Sequence, residues 1–115
     1  MKLAVIIPVY NAENTIRKAV KSIDTTHDVE IICINDGSTD RTKQVLTELQ
    51  KEVKHLIVYH QDNQGAAKSR NMGLSAMSDD IDAFMFLDAD DQFLPGKMDQ
   101  MIQYYEKNDH LDIVI

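Results

Sequence analysis

A continuous run of apolar, mostly β-branched residues, Leu3–Val9, constrains this chain more than any other feature, and it recurs in shorter form three times. Such a run offers no side to water, so it marks a strand buried on both faces, as in parallel sheets. The later runs are residues 29–34, 56–59 and 83–87. Amphipathic stretches separate them. Ile16, Ala19, Val20 and Ile23 fall at i, i+3, i+4 and i+7, behind Asn11 as a candidate cap. Val45, Leu46 and Leu49 give a second helix its buried stripe, with Ser38 as candidate N-cap and Asp40 in the first turn. A third helix is expected over 65–77, with Ala66, Ala67, Leu74 and Met77 as its small or apolar positions. A fourth opens at Pro95 and carries Met98, Met101, Ile102 and Tyr105. Residues 112–115 read as the start of another strand.

Strand and helix alternating four times, with short connections, predict an α/β fold: a Rossmann-like three-layer α/β/α arrangement around a mainly parallel sheet. At 115 residues the chain is one domain, residues 1–115. A buried-type strand with nothing after it to pair with predicts that it is part of something larger. Lys plus Arg number 12 and Asp plus Glu 19, a net charge of −7. That balance excludes a nucleic-acid footprint and docking on anionic lipid through this segment. A single cysteine, Cys33, cannot form an internal disulfide, which points to a reducing, cytoplasmic setting. Cys33 itself, in mid-strand, reads as a small buried hydrophobe. The N-terminal apolar run is too short for a signal peptide and lacks a cleavage site, and no stretch reaches the length of a membrane span.

Ligands of open α/β sheets bind at the C-terminal ends of strands, near the point where strand order reverses. Each strand here ends in polar or aromatic residues: Pro8-Val9-Tyr10-Asn11, Asn35-Asp36-Gly37-Ser38, Asp62-Asn63-Gln64-Gly65 and Asp88-Ala89-Asp90-Asp91. Asp88 and Asp90 alternate on a chain leaving the sheet, so both carboxylates can converge on one point. Carboxylates so close repel unless a cation lies among them, and Mg²⁺ or Mn²⁺ takes such oxygen ligands together with phosphates. The competing reading is an acidic loop continuing Asp79, Asp80 and Asp82. Asp36 can accept a hydrogen bond from a ring N–H or make an Asx-turn into the next helix. Tyr10 offers a face for stacking or a ring for the core. Arg70 and Lys68 supply cations on the third helix, near an N-terminus at Gly65 that favours anions; solvation accounts more easily for Lys68 than for Arg70. His27, His55, His60 and His110 show no ligand spacing.

Together these segments resemble the inverting family 2 glycosyltransferases, which have the nucleotide-diphosphosugar (GT-A) fold. The matching text is Ile6-Ile7-Pro8-Val9-Tyr10-Asn11, the stretch from Val29 to Asp40 ending Asn35-Asp36-Gly37-Ser38-Thr39-Asp40, Asn63-Gln64-Gly65 through Arg70-Asn71-Met72-Gly73, and Phe86-Leu87-Asp88-Ala89-Asp90-Asp91. The likeness covers essentially the whole chain but only the donor-binding first part of such an enzyme. It implies that Tyr10 stacks on a nucleotide base, Asp36 hydrogen-bonds it, and Pro8 shapes the loop. It implies that Arg70 approaches the nucleotide, that Asp88 and Asp90 hold Mn²⁺ or Mg²⁺ against the diphosphate, and that Asp91 touches the sugar. The implied partners are a nucleotide-sugar donor, with uridine the expected base, and a saccharide or lipid-linked acceptor. The general base is expected beyond Ile115, in a longer protein that can associate with a membrane.

Two other classes fit less well. A phosphorelay receiver domain needs an acidic pair after its first strand, where this chain has Pro8-Val9-Tyr10-Asn11. A nucleotide-sugar binding module without catalysis shares every motif above, and only the metal dependence of binding and turnover separate it from an enzyme. The chain lacks G-x-x-x-x-G-K-[ST] and G-x-G-x-x-G, which argues against a P-loop nucleotidase and a dinucleotide dehydrogenase.

Overall fold

A computed structural model describes residues 1–107; His110 and the expected strand at 112–115 lie outside them. The elements are β1 (Leu3–Val9), α1 (Ile16–Lys21), β2 (Val29–Asp36), α2 (Thr42–Glu52), β3 (Leu56–Gln61), α3 (Ala66–Ala76), β4 (Ala83–Phe86) and α4 (Lys97–Lys107). The four strands pair in the order β3-β2-β1-β4, all parallel. The most continuous apolar run of the sequence thus becomes the strand flanked by β2 and β4.

Alternation along the strands divides the core into two layers. Leu3, Val5, Ile7 and Val9 of β1, with Val29, Ile31 and Cys33 of β2, meet Ile16, Ala19 and Val20 of α1, Leu46 and Leu49 of α2, and Met98 and Ile102 of α4. On the opposite face Ile6, Ile32 and Ile34 pack with Leu74 and Ala76 of α3 and with Phe84 and Phe86. This is the expected three-layer arrangement. Cys33 is fully buried, and loss of water pushes its thiol up to about 12.

The expected face of α3 holds in part: Leu74 and Met77 pack against the core. Ser69 and Gly73 are buried, whereas Ala66 and Ala67 are exposed. A Cβ on Gly73 would stand 2.3 Å from Cγ2 of Ile6, so the bare backbone lets α3 lie close on the sheet. Ser69 is accommodated because its hydroxyl donates to the Gly65 carbonyl at 3.0 Å.

The expected caps also act elsewhere. α1 begins at Ile16 and α2 at Thr42, and neither has a side-chain cap on its N-cap residue. Asn11 instead accepts from the Thr39 N–H (2.8 Å), and Ser38 Oγ accepts from the Asn11 N–H (3.0 Å). Thr42 Oγ1 accepts from the Ala12 N–H (2.9 Å), Asp40 from the Glu13 N–H (3.3 Å), and Glu13 from the Arg41 N–H (3.2 Å). The loops after β1 and β2 are therefore laced to each other. Asn11 and Ser38 satisfy a neighbour's backbone rather than their own helix, while Asp40 serves both, since it also accepts from the Thr42 N–H that opens α2 (2.9 Å).

At the opposite end of the molecule, His27 lies 2.5 Å from Asp99 and 3.7 Å from Asp24, fastening the first turn of α4 to the α1–β2 loop.

Candidate active site

The chain steps outward from β1 to β2 to β3, then returns so that β4 lies on the other side of β1. Strand order therefore reverses between β1 and β4, and the crevice beyond their C-terminal ends is where such sheets take ligands. The β1–β4 ladder stops at the Ile6–Phe86 rung, followed by one bond from the Leu87 N–H to the Ile6 carbonyl (3.0 Å). Pro8 comes two residues later. It pairs with Ile34 of β2 in register, but its missing N–H falls where β4 has already left. The two chains part there, β1 toward Tyr10 and β4 toward Asp88.

Tyr10 is 53% exposed, which excludes the core reading of its ring. Asn11 beside it has φ 46°, in the left-handed region that asparagine tolerates. With both flanking loops laced together, Tyr10 stands on a well-supported turn.

Asp88, Asp90 and Asp91 are all exposed, and one carboxylate oxygen from each lies within 4.8 Å of the others. A turn closed by the Asp91 N–H on the Asp88 carbonyl (3.0 Å) draws them together. Their hard oxygen donors and spacing fit a divalent cation such as Mg²⁺ or Mn²⁺. The Arg70 guanidinium lies over the Phe86 ring at 5.9 Å from its centroid, which brings a cation from α3 to the end of β4.

Asp36 does not make the Asx-turn that its position before α2 allowed. β2 runs on through Asn35 to Asp36, so the residue belongs to the strand end and is only 4% exposed. Its carboxylate accepts from the Gln64 N–H (2.7 Å), the Gly65 N–H (2.9 Å) and Gln61 Nε2 (3.0 Å). Burial raises its pKa, and these three bonds outweigh burial and hold it below the usual carboxylate range. The side chain that turns the chain into α2 is instead Asp40, whose carboxylate accepts from the Thr42 N–H (2.9 Å).

Sequence reasoning did not find the polar residues behind this rim. Gln61 bonds both Asp36 and Ser69. Asn35, 4% exposed, accepts from the Ser38 hydroxyl and lies 3.0 Å from Nδ1 of His60. The pKa of His60 lies below its ordinary value, through burial and then the nearby Lys43. Asn35, His60 and Gln61 lie just past the apolar runs at 29–34 and 56–59, where β2 and β3 extend further than those runs. A polar residue at the end of a strand-like run, beside a loop rich in Asn and Gly, was the available signal.

Fold and rim define an open α/β domain shaped to take a ligand at the switch point of its sheet. The sequence matches the model of glycosyl transferase family 2 over residues 4–115, and the chain belongs to that family. TagX of Staphylococcus aureus (strain MRSA252) is 40% identical over 119 residues, spanning 100% of this chain and 34% of TagX. An uncharacterized glycosyltransferase of Haemophilus influenzae is 40% identical over 112 residues, which is 95% of this chain and 34% of that protein. Among solved structures, residues 1–349 of S. aureus TarS superpose with a TM-score of 0.80 at 26% identity, covering 93% of this chain and 33% of that one. The same TarS segment in complex with UDP gives a TM-score of 0.80 at 25% identity. The fold is thus the GT-A type. The chain spans about a third of the length of these relatives.

Proposed function

We propose that residues 1–115 form the donor-binding N-terminal part of a glycosyltransferase that takes a uridine-diphosphate sugar and transfers the sugar, with inversion, to an acceptor hydroxyl. The observation that carries this reading is the convergence of Asp88, Asp90 and Asp91 where strand order reverses. The UDP bound to TarS, a structure of the same fold, supports the choice of nucleotide.

In this reading Tyr10 stacks on the base, a contact worth about 1–3 kcal/mol for nucleic-acid bases. Pro8 holds open the notch beside it. A carboxylate has about four acceptor directions, so Asp36, with three used, keeps one for a base N–H. Arg70, held against Phe86, presents its guanidinium to the diphosphate. Asp88 and Asp90 hold Mn²⁺ or Mg²⁺, with Asp91 placed for the sugar. The cation supplies a Lewis acid for the charge that develops on the leaving diphosphate. The acceptor oxygen bonds to the anomeric carbon as the bond to the diphosphate oxygen breaks. A general base beyond Ile115 takes the hydroxyl proton, and the acceptor, a saccharide or a lipid-linked one, binds there as well. The cation also explains how a chain of net charge −7 receives an anionic donor.

Calorimetry tests the reading directly. UDP should bind more tightly with Mn²⁺ than with EDTA, and Asp90→Ala should abolish that difference. Equal affinity with and without metal in the unaltered protein would overturn it.

A further inference from the structure

We propose that Asp36 is a positioning residue: its carboxylate fastens the β3–α3 loop and the first turn of α3 to the end of β2, and so sets where Arg70 stands. The link to Arg70 rests on the donor-site reading above; the fastening does not.

Three observations carry it. First, the carboxylate reaches 28 and 29 residues along the chain to the N–H groups of Gln64 and Gly65, at 2.7 and 2.9 Å. The Asp36 carbonyl also accepts from Asn63 Nδ2 at 3.1 Å, so three successive residues of one loop are tied to this single residue. Second, the bonds close a ring. Gly65 N–H donates to Asp36, Gln61 Nε2 donates to Asp36 and to Ser69 Oγ (3.2 Å), and Ser69 donates back to the Gly65 carbonyl. Ser69 is fully buried and Asp36 nearly so, which strengthens each bond and makes loss of one felt by the rest. Third, α3 has no side-chain cap of its own; its N-cap is Gly65, at φ +96°. Asp36 therefore supplies in trans the negative charge that a helix N-terminus favours. Gly37 completes the joint, since a Cβ there would lie 2.7 Å from the Asn63 nitrogen.

Arg70 follows Ser69 directly on α3. Releasing the ring frees the first turn, and the guanidinium loses its placement over Phe86. Asp36 thus acts on an anionic ligand through Arg70 as well as through any contact of its own.

The test is amide hydrogen exchange of the protein and of Asp36→Asn, with UDP titrations of Asp36→Asn, Arg70→Ala and the double variant. The side-chain amide introduced by Asp36→Asn would face the Gly65 N–H with a donor. Protection at Gln64 and Gly65 should fall by about tenfold or more, the worth of one bond to a charged acceptor. The losses of UDP affinity should be less than additive in the double variant. Unchanged protection would overturn the fastening. Fully additive losses would overturn the link to Arg70. If Arg70→Ala binds UDP normally, Arg70 has no part in the donor site and the link is overturned, while exchange alone judges the fastening; failure of the donor-site reading itself shows separately, as no gain in UDP affinity with Mn²⁺. Should Asp36→Asn not fold, acid titration of the unaltered protein replaces it. The Gln64 and Gly65 amide resonances should then shift together in one transition below the usual carboxylate range. Absence of that shift would overturn the proposal.

Discussion

Asp40 serves two loops at once. One carboxylate oxygen accepts from the Thr42 N–H (2.9 Å) and hydroxyl, and the other accepts from the Glu13 N–H. Burial raises its pKa, but the bonds from Thr42 and then Glu13 outweigh burial and lower it. A carboxyl whose folded pKa lies below its unfolded value stabilises the fold above the unfolded value, near 3.9. That stabilisation is lost as pH falls through the folded value. Asp40→Ala should therefore cost about 1–2 kcal/mol at pH 7, comparable to loss of a helix cap. Urea midpoints of the two proteins should converge on acidification below about pH 4, where the native carboxyl also protonates. A constant gap at all pH values would mean that packing, not charge, is what Asp40 contributes.

At the scale of elements, every strand and helix within the described residues was legible from apolar runs and helical spacing, because burial on one or both faces leaves a periodic trace. The caps were not. Asn11 and Ser38 have the right chemistry for capping, but two adjacent strand ends present unpaired N–H groups to each other, and side chains that reach across satisfy both loops. Sequence order cannot register that proximity. The same limit hid the donors to Asp36, which come from 25 to 29 residues away. It also hid the partnership of His27 with Asp99, 72 residues on. Tyr10, Arg70 and the Asp88–Asp91 group were visible because each lies where a strand run or helix stripe breaks into polar text. Leu74 of α3 and Met77 just after it were legible, but the closest approach of the helix was not, because that contact is made by an absent side chain. Gly73→Ala should push α3 from Ile6 and destabilise the protein by about 1–3 kcal/mol, read as a lower urea midpoint with unchanged slope. An unchanged midpoint would show that the helix shifts freely.

Across the whole molecule the two edges of the sheet differ in kind. The N-terminal edge carries an open groove of about 600 Å³ lined by residues that include Lys21, Glu52, Lys54 and His55. α1 and α2 both end there, and Glu52 is paired with Lys21 across it (3.3 Å). The C-terminal edge carries Tyr10, Asp36, Arg70 and the three aspartates around the reversal of strand order. No helix among the described residues is long and apolar enough to cross a membrane. Under the proposed function a phosphate-bearing donor sits at the C-terminal rim, and part of the chain's acidic balance would be the ligand set of a cation. Among the described residues two clusters offer ligands for such a cation: Asp88, Asp90 and Asp91 at the rim, or Asp24, His27 and Asp99 at the opposite end. Paramagnetic broadening of backbone amide resonances by Mn²⁺, with UDP present, separates them. The account predicts broadening centred on Asp88, Asp90 and Asp91 and reaching Tyr10, with Asp24 and His27 unaffected; broadening centred on His27, or spread evenly over the surface, would contradict it.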